Sequence, residues 1–456
     1  MITELFKLLN KDDINKKLFI FTVLTILNLF LFQLSYEKIT INKYSKNPPN
    51  NISFFINEPF FPLEHEEHAK KEFLRTYYDS TNIRFHFQDL YKQRKLYKIN
   101  YSYLPYLNVK RYNSYDKAAD YIFESTGMLN ITLLNYYYYN LDIDTYDFNH
   151  IHIGMSFDAN YITLSKITIA SILNTSSVNT YIHFHIGLNY CKYPDIKKLL
   201  DLNEINKNME FIFYKGTQAE LDFYQNGKKG FRGIGDYTRL LLPQIVNNTN
   251  RILILDSGDI IAQKDLSEIY FFELDDNYFA FSLEYGAGNF HEYYIFLRNN
   301  FYFNAGVCLV NIRKFREDNL YKNAFFAAIA YEHLPCPFQD IFLMISNYKF
   351  KYWSLNYNCP QFFENDKEME EKTYNTSGFN GWLESQKKTI FRYNKEELMN
   401  AALDPVIIHL YFNKPYLNAA NKRFTKMWIE YSKLAKVYEE IKIKFPQIFN
   451  SSEKYI

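Results

Sequence analysis

The stretch that most constrains this chain runs from Arg251 to Leu266, RILILDSGDIIAQKDL. Its continuous apolar segment, Ile252 to Leu255, reads as a strand buried on both faces, as in a parallel sheet, and Ser257 and Gly258 break it immediately after Asp256. Asp259 follows at once. Two carboxylates at the end of a buried strand are costly without a cation. In open α/β sheets ligands collect at the carboxyl ends of the strands, so two hard oxygen donors there suit Mg²⁺ or Mn²⁺ together with phosphate oxygens. The alternative is an acidic turn in which Asp259 caps a loop.

Other blocks surround this one: IHIGMSFDANYITLSKITIASIL and GDYTRLLLPQIV before it, then FNAGVCLVNIRKFRE, QDIFLMI followed by WSLNYN, and IIHLYFNKPY after it. In the first, Ile151, Ile153 and Met155 alternate as a strand does; the loop Asp158-Ala159-Asn160-Tyr161 and an apolar helix pattern follow. Tyr237 to Leu242 reads as an amphipathic helix carrying Arg239 behind a glycine-containing approach (Gly230, Gly233, Gly235). Asn304-Ala305-Gly306 leads into the apolar strand Val307 to Val310, and His409 ends the apolar run Val406 to Ile408. On these blocks and their order, the sequence from His150 to about Trp428 resembles glycosyltransferase family 8, the family of glycogenin and the bacterial lipopolysaccharide galactosyltransferases.

The resemblance implies a GT-A fold, a Rossmann-like mixed α/β sheet with helices on both faces, and retaining transfer of a hexose or pentose from a UDP-sugar to a hydroxyl on a glycan, glycoprotein or glycolipid. It assigns Asp256, Asp259 and His409 to the metal, with Mn²⁺ favoured over Mg²⁺ because an imidazole joins the carboxylates. Asp158, Asn160 and Tyr161 would hold the uracil and ribose, and Ser156 takes the place of a small residue lining the base pocket. A carboxylate suits uracil because N3–H is a donor. For Asp158 the alternative is a helix cap. Arg239 would bridge sugar and diphosphate with its fixed fork of donors, or else form a helix-surface salt bridge. Asn304, Ala305 and Gly306 would face the donor sugar, and Lys414 would reach the β-phosphate. Gln339 would lie beneath the anomeric carbon with its side-chain oxygen toward the oxocarbenium-like transition state, and Asp340 would orient Gln339 or the acceptor.

The chain departs from the family at three places. Asp256-Ser257-Gly258-Asp259 has one residue more than Asp-x-Asp, an excess that Gly258 can absorb. Phe338 stands where relatives have a sugar-binding carboxylate. The segment from His409 to Lys414 is one residue shorter and lacks the usual glycine. These departures motivate the rival reading, a lumenal binding or scaffold protein without catalysis. Glycosidase-type paired carboxylates are not evident, and Asp158-Ala159-Asn160-Tyr161 is not the Gly-rich basic loop of a nucleotidyltransferase.

Leu18 to Leu34 is charge-free and mostly apolar, close to the ~20 residues that cross a bilayer as a helix. Ser35-Tyr36-Glu37 offers no cleavage pattern, and Lys7, Lys11, Lys16 and Lys17 precede the span, so the expectation is an uncleaved signal anchor with a cytosolic N-terminus. The expected organisation is a cytosolic tail at 1–17, the anchor at 18–36, a stem at 37–149, the GT-A domain at 150–437 and a C-terminal tail at 438–456. That makes a single-pass type II membrane protein with a lumenal catalytic domain, placed in the Golgi. Six Asn-x-Ser/Thr sequons (Asn51, Asn130, Asn174, Asn247, Asn375, Asn450) suit a lumen, but an Asn-rich chain would show nearly as many by chance. Cys191, Cys308, Cys336 and Cys359 lack metal-type spacing and require no disulfide. A net charge of +1 removes the broad basic bias that would draw nucleic acid.

Overall fold

Apolar alternation becomes a buried strand in β2 (Asn149–Asp158), where Ile151, Ile153, Met155 and Phe157 all pack inside. The computed structural model that shows this describes residues 109–139, 148–215, 235–246, 249–284, 302–321, 323–324, 336–346, 349–360, 395–411, 414–416 and 422–452. The expected cytosolic tail, the anchor at 18–36 and most of the stem lie outside the described residues, as does the whole of a separate unit, Met1–Phe60. Among the described residues no helix is long and apolar enough to cross a membrane.

Among the described residues the strands are β1 (Met128–Asn130), β2, β3 (Thr180–Asn189), β4 (Met209–Lys215), β5 (Arg251–Leu255), β6 (Ile260–Ala262), β7 (Phe279–Leu283), β8 (Phe303–Asn311), β9 (Phe350–Tyr352), β10 (Cys359–Pro360) and β11 (Ile407–His409). Eight of them form a mixed sheet in the order β1-β4-β3-β2-β5-β8-β7-β9. The run β4, β3, β2, β5 is parallel, whereas β1 lies antiparallel on β4 and β8 antiparallel on both β5 and β7. A second sheet, β10-β11-β6, pairs His409 with Ile260 in antiparallel register and Pro360 with His409 in parallel register.

Helices cover both faces. On one, α3 (Ile162–Thr175) is buried at every position from Ile162 to Leu173, enclosed with Leu253, Leu255 and Trp428 of α8 (Lys422–Leu434) in one apolar core. On the other, Leu240 and Leu242 of α4 (Gly235–Ile245), Phe315 of α5 (Ile312–Glu317), Ile341 and Phe342 of α6 (Pro337–Ser346) and Ala401 of α7 (Lys395–Leu403) close a second core over Ile252, Ile254 and Phe279. Burial on both faces is why β5 carries an unbroken apolar run.

Two of the expected boundaries fall inside this packing. Residues assigned to the stem supply α1 (Tyr115–Thr126), β1 and α2 (Ile131–Tyr139), with Phe123, Leu129 and Leu134 in the first core. Residues assigned to the C-terminal tail supply α9 (Tyr438–Lys444) and α10 (Pro446–Ser452), with Ile441 and Ile448 in the same core. Sparse apolar positions among many tyrosines and charges hid both.

Strands β2 and β3 also carry two crossed histidine pairs. His150 Nδ1 lies 2.9 Å from His183 Nε2, and His152 Nδ1 lies 2.9 Å from His185 Nε2. His185 reaches the Tyr214 hydroxyl at 2.9 Å. Burial, reinforced by neighbouring imidazoles, pushes His152 down to about 2 and His185 to about 3. Both rings are held neutral. Cys191, Cys308, Cys336 and Cys359 form no disulfide.

Candidate functional site

Strand β5 delivers Asp256 to the sheet edge, where its N–H donates to the Gly306 carbonyl at 2.8 Å and so continues the pairing with β8. The chain then turns at Gly258, whose φ of 90° is left-handed; a side chain is strained there. The turn is braced by the Gly258 N–H on Thr168 Oγ1 at 3.0 Å and by Trp428 Nε1–H on the Gly258 carbonyl at 3.1 Å. It returns Asp259 to the start of β6, where the Leu410 N–H donates to the Asp259 carbonyl at 2.7 Å and holds β11 alongside. The additional residue in Asp256-Ser257-Gly258-Asp259 is absorbed at Gly258, and both carboxylates face one imidazole.

That imidazole is His409, 1% exposed. One ligand atom from each of Asp256, Asp259 and His409 lies within 4.8 Å of the others, and among the described residues this is the one group able to hold a metal ion. His409 Nε2 stands 3.4 Å from Asp256 Oδ2 and 3.9 Å from Asp259 Oδ2. Nε2 and Asp259 Oδ1 are buried and have no hydrogen-bond partner. A buried, unpartnered ring nitrogen among carboxylate oxygens is a costly arrangement that a divalent cation relieves, so the donor set fits Mn²⁺ or Mg²⁺.

Two cations flank the pair. Lys414 Nζ contacts Asp259 Oδ2 at 2.7 Å, and the Arg239 guanidinium pairs with Asp256. Burial raises the Asp259 carboxyl, but the Lys414 ammonium outweighs it and holds the carboxyl below the usual carboxylate range. Burial lowers His409 to about 4 despite the pull of Asp259, so the ring is neutral and able to ligate. With two carboxylates and two fixed cations the cluster is near electroneutral. A divalent cation and a diphosphate can enter together without upsetting that balance.

Asn304, Ala305 and Gly306 line the same edge. The Gly306 position is decided by His409: a Cβ there would lie 2.1 Å from His409 Cε1 and 2.9 Å from Nδ1. Gly306, expected to face the donor sugar, is thus closely approached by the His409 ring. Gln339, in the first turn of α6, joins them, but its Oε1 accepts from the Ala305 N–H at 2.8 Å and its Nε2 donates to Glu284 at 3.3 Å. One lone pair of the oxygen expected beneath the anomeric carbon is therefore engaged by the backbone.

Asp340 is turned away, with its carboxylate accepting from the Tyr302 hydroxyl at 2.5 Å and the Cys336 N–H at 2.9 Å. It closes the N-terminus of α6, and the orienting part expected of it falls to Glu284. Phe338 is buried and packs under Arg239, the guanidinium carbon lying 4.7 Å from the ring centroid. At the position where the resemblance leads one to expect a carboxylate, the chain holds its arginine by a cation–π contact.

The loop after β2 sits at the next strand end. Asp158 accepts from the Asn160 and Tyr161 N–H groups at 2.8 and 3.2 Å, so it does cap the turn Ala159–Tyr161, while the Tyr161 ring is exposed. Ser257 Oγ donates to the Ser156 carbonyl at 3.3 Å, which ties this loop to the carboxylate turn.

Glu284 and Asn358 were not singled out by the sequence. Glu284 is a lone carboxylate at the end of β7, and Asn358 lies within the WSLNYN block with nothing to distinguish it from the asparagines around it. Burial raises the Glu284 carboxyl, against hydrogen bonds from Asn304, Tyr411 and Gln339. A buried charge-bearing residue in an otherwise apolar strand was the available signal.

A family model described as glycosyl transferase family 8 matches residues 152–417. A probable galacturonosyltransferase-like 4 of Arabidopsis thaliana is 24% identical over 192 residues, covering 38% of this chain and 53% of that protein. A lipopolysaccharide 1,2-glucosyltransferase of Escherichia coli is 25% identical over 237 residues, covering 50% of this chain and 68% of that protein. The chain thus spans about half the length of the first of these relatives. Among solved structures, the WbbM bifunctional glycosyltransferase aligns with a TM-score of 0.49 at 18% identity, covering 66% of this chain and 53% of that one. Galactosyltransferase LgtC, in complex with donor and acceptor sugar analogs, aligns with a TM-score of 0.42 at 18% identity, covering 61% and 95%.

Proposed function

The chain belongs to glycosyl transferase family 8, and from that membership we propose that it is a GT-A retaining glycosyltransferase that moves a hexose or pentose from a UDP-sugar to a hydroxyl of a glycan, glycoprotein or glycolipid. The observation that carries this reading is the convergence of Asp256, Asp259 and the unpartnered Nε2 of His409 between Lys414 and Arg239.

Asp256, Asp259 and His409 would hold the ion, with Mn²⁺ favoured by the mixed oxygen and nitrogen set. When bound, it supplies Lewis-acid neutralisation of the charge growing on the diphosphate as the glycosidic bond breaks. Lys414 and Arg239 exchange part of their contact with the carboxylates for phosphate oxygens, Arg239 with two parallel donors. Asp158 accepts from uracil N3–H through its second oxygen, and Tyr161, being exposed, lies against the base. Asn304, Ala305 and Gly306 line the edge against which the sugar would lie, with their amide and N–H groups held by Glu284, Gln339 and Asn358. The Gln339 oxygen, fixed from behind by the Ala305 N–H, keeps one lone pair for the developing positive charge at the anomeric carbon. We place the protein in a membrane, single-pass and type II through 18–36, with its catalytic domain in the lumen of the Golgi.

Calorimetric titration of UDP into the full-length chain, with Mn²⁺ and then with a chelator, tests the reading. UDP binding that requires Mn²⁺ and is lost in Asp259→Ala and His409→Ala supports it. Absence of binding in both conditions refutes it in favour of a non-catalytic lumenal scaffold, for which the neutralised Asp256–Arg239 pair and Phe338 would be the cause.

A further inference from the structure

We propose that Asn358 is a positioning residue of this centre, fixing through Asn304 and Glu284 which ring nitrogen of His409 carries the proton; this rests on the reading of Asp256, Asp259 and His409 as metal ligands. The backbone N–H of Gly306 can only donate, and it lies 2.9 Å from one side-chain atom of Asn304. That atom is therefore Oδ1. The other end of the amide is the NH₂, 2.7 Å from Glu284 Oε2. The Asn358 amide approaches the same Asn304 Oδ1 at 2.9 Å and must present its own NH₂ to it. Its oxygen is left for His409, 2.9 Å from Nδ1.

An amide oxygen can only accept, so Nδ1 carries the proton. In a neutral imidazole the lone pair is then on Nε2, the atom that faces Asp256 and Asp259. Each step follows from a group whose donor or acceptor role cannot be exchanged. Glu284 closes the chain as an acceptor, and because it also takes the Gln339 NH₂, the same carboxylate orients the ring at the metal and the amide expected at the anomeric carbon. Outer partners of metal-bound histidines work this way, and disturbing one typically costs 10–100-fold in metal affinity.

The test separates tautomer from metal. In the full-length chain labelled with ¹⁵N in its histidine rings, two-bond ring correlations should show His409 as the Nδ1–H tautomer before any metal is added, its signals identified by their loss in His409→Gln. Mn²⁺ alone, followed by the electron paramagnetic resonance of the free ion, should bind about 10–100-fold more weakly to Asn358→Ala. Asn358→Asp keeps an acceptor opposite Nδ1 and should retain the Nδ1–H tautomer while losing the donor to Asn304 Oδ1. Should Asn358→Ala not fold, Asn358→Ser removes the same acceptor reach with a smaller polar group.

An Nε2–H ring in the wild type overturns the proposal. So does an Asn358→Ala or Asn358→Ser variant that binds Mn²⁺ as tightly as wild type. A wild type with the Nδ1–H ring that takes up no Mn²⁺ supports the tautomer and overturns the metal reading, so the two failures are told apart.

Discussion

Replacing Gly306 by alanine puts a methyl group where the His409 ring now lies. The new Cβ would stand 2.1 Å from Cε1, 2.9 Å from Nδ1 and 3.0 Å from Asn304 Oδ1. Ordinary carbon–carbon contact is about 3.5–4.0 Å, so one side must yield by roughly 1.4–1.9 Å. Strand β8 cannot readily yield, because the Gly306 carbonyl receives the Asp256 N–H and its N–H is bound to Asn304. The ring must move, in a site where it is 1% exposed and held by Asn358. Overpacking of this kind costs about 1–3 kcal/mol, a fall of several degrees in Tm. A ring displaced by more than an ångström no longer shares an ion with both carboxylates, so Mn²⁺ affinity should fall at least 10–100-fold. Titration of Mn²⁺ by electron paramagnetic resonance, with thermal unfolding in parallel, reads both. A folded Gly306→Ala variant with wild-type Mn²⁺ affinity would refute the assignment of His409 to the ion.

Further outcomes follow from contacts described above. Arg239→Met should raise Mn²⁺ affinity by removing the cation that competes for Asp256, and lower UDP affinity about tenfold (~1.5 kcal/mol, one hydrogen bond to a charged group); calorimetry showing both constants moving together would reject the shared role of Arg239. His152 and His185 have folded pKa values depressed to about 2 and 3, so between those values and about 6.5 the unfolded chain binds more protons and stability falls as pH falls. Each should cost about 1.2 kcal/mol between pH 7 and pH 5.5, seen as a lower denaturant midpoint that His152→Asn partly restores at the acid end. A flat profile from pH 7 to 5 would show that the rings are not buried neutral. Trp428→Phe leaves the Gly258 carbonyl without its indole donor and should cost about 1–3 kcal/mol with weakened Mn²⁺ binding; unchanged metal affinity would separate that brace from the site.

The apolar run of β5 and the two aspartates after it were legible because a buried parallel strand cannot hide polar residues and a sheet edge collects ligands. His409 and Lys414 were legible only through the order of the blocks, since a histidine ending a buried strand carries no signal of its own. The spacing of the aspartates resolved at Gly258, where the left-handed backbone lets the chain bulge and still return Asp259. The direction of an amide was not legible at all. Gln339 stands beside Ala305, yet which of its ends faces the backbone depends on Glu284, next after β7. Asp340 lies next to Gln339 in sequence but one position around a helix turns it elsewhere. The helices before and after the expected domain were missed because their few buried positions are diluted among exposed tyrosines, lysines and glutamates.

The pairing of β6 with β11 joins segments far apart in the sequence, and it has a consequence for biosynthesis. Asp256 and Asp259 can fold onto the sheet early, but the strand that brings His409 and the helix that brings Trp428 emerge from the ribosome long afterwards. Until then two acidic groups face each other with no imidazole between them and no indole under their turn. On the proposed reading, ion uptake is thereby tied to the late arrival of the chain's C-terminal third, so a nascent or truncated polypeptide that has made every strand of the main sheet still has no centre to load.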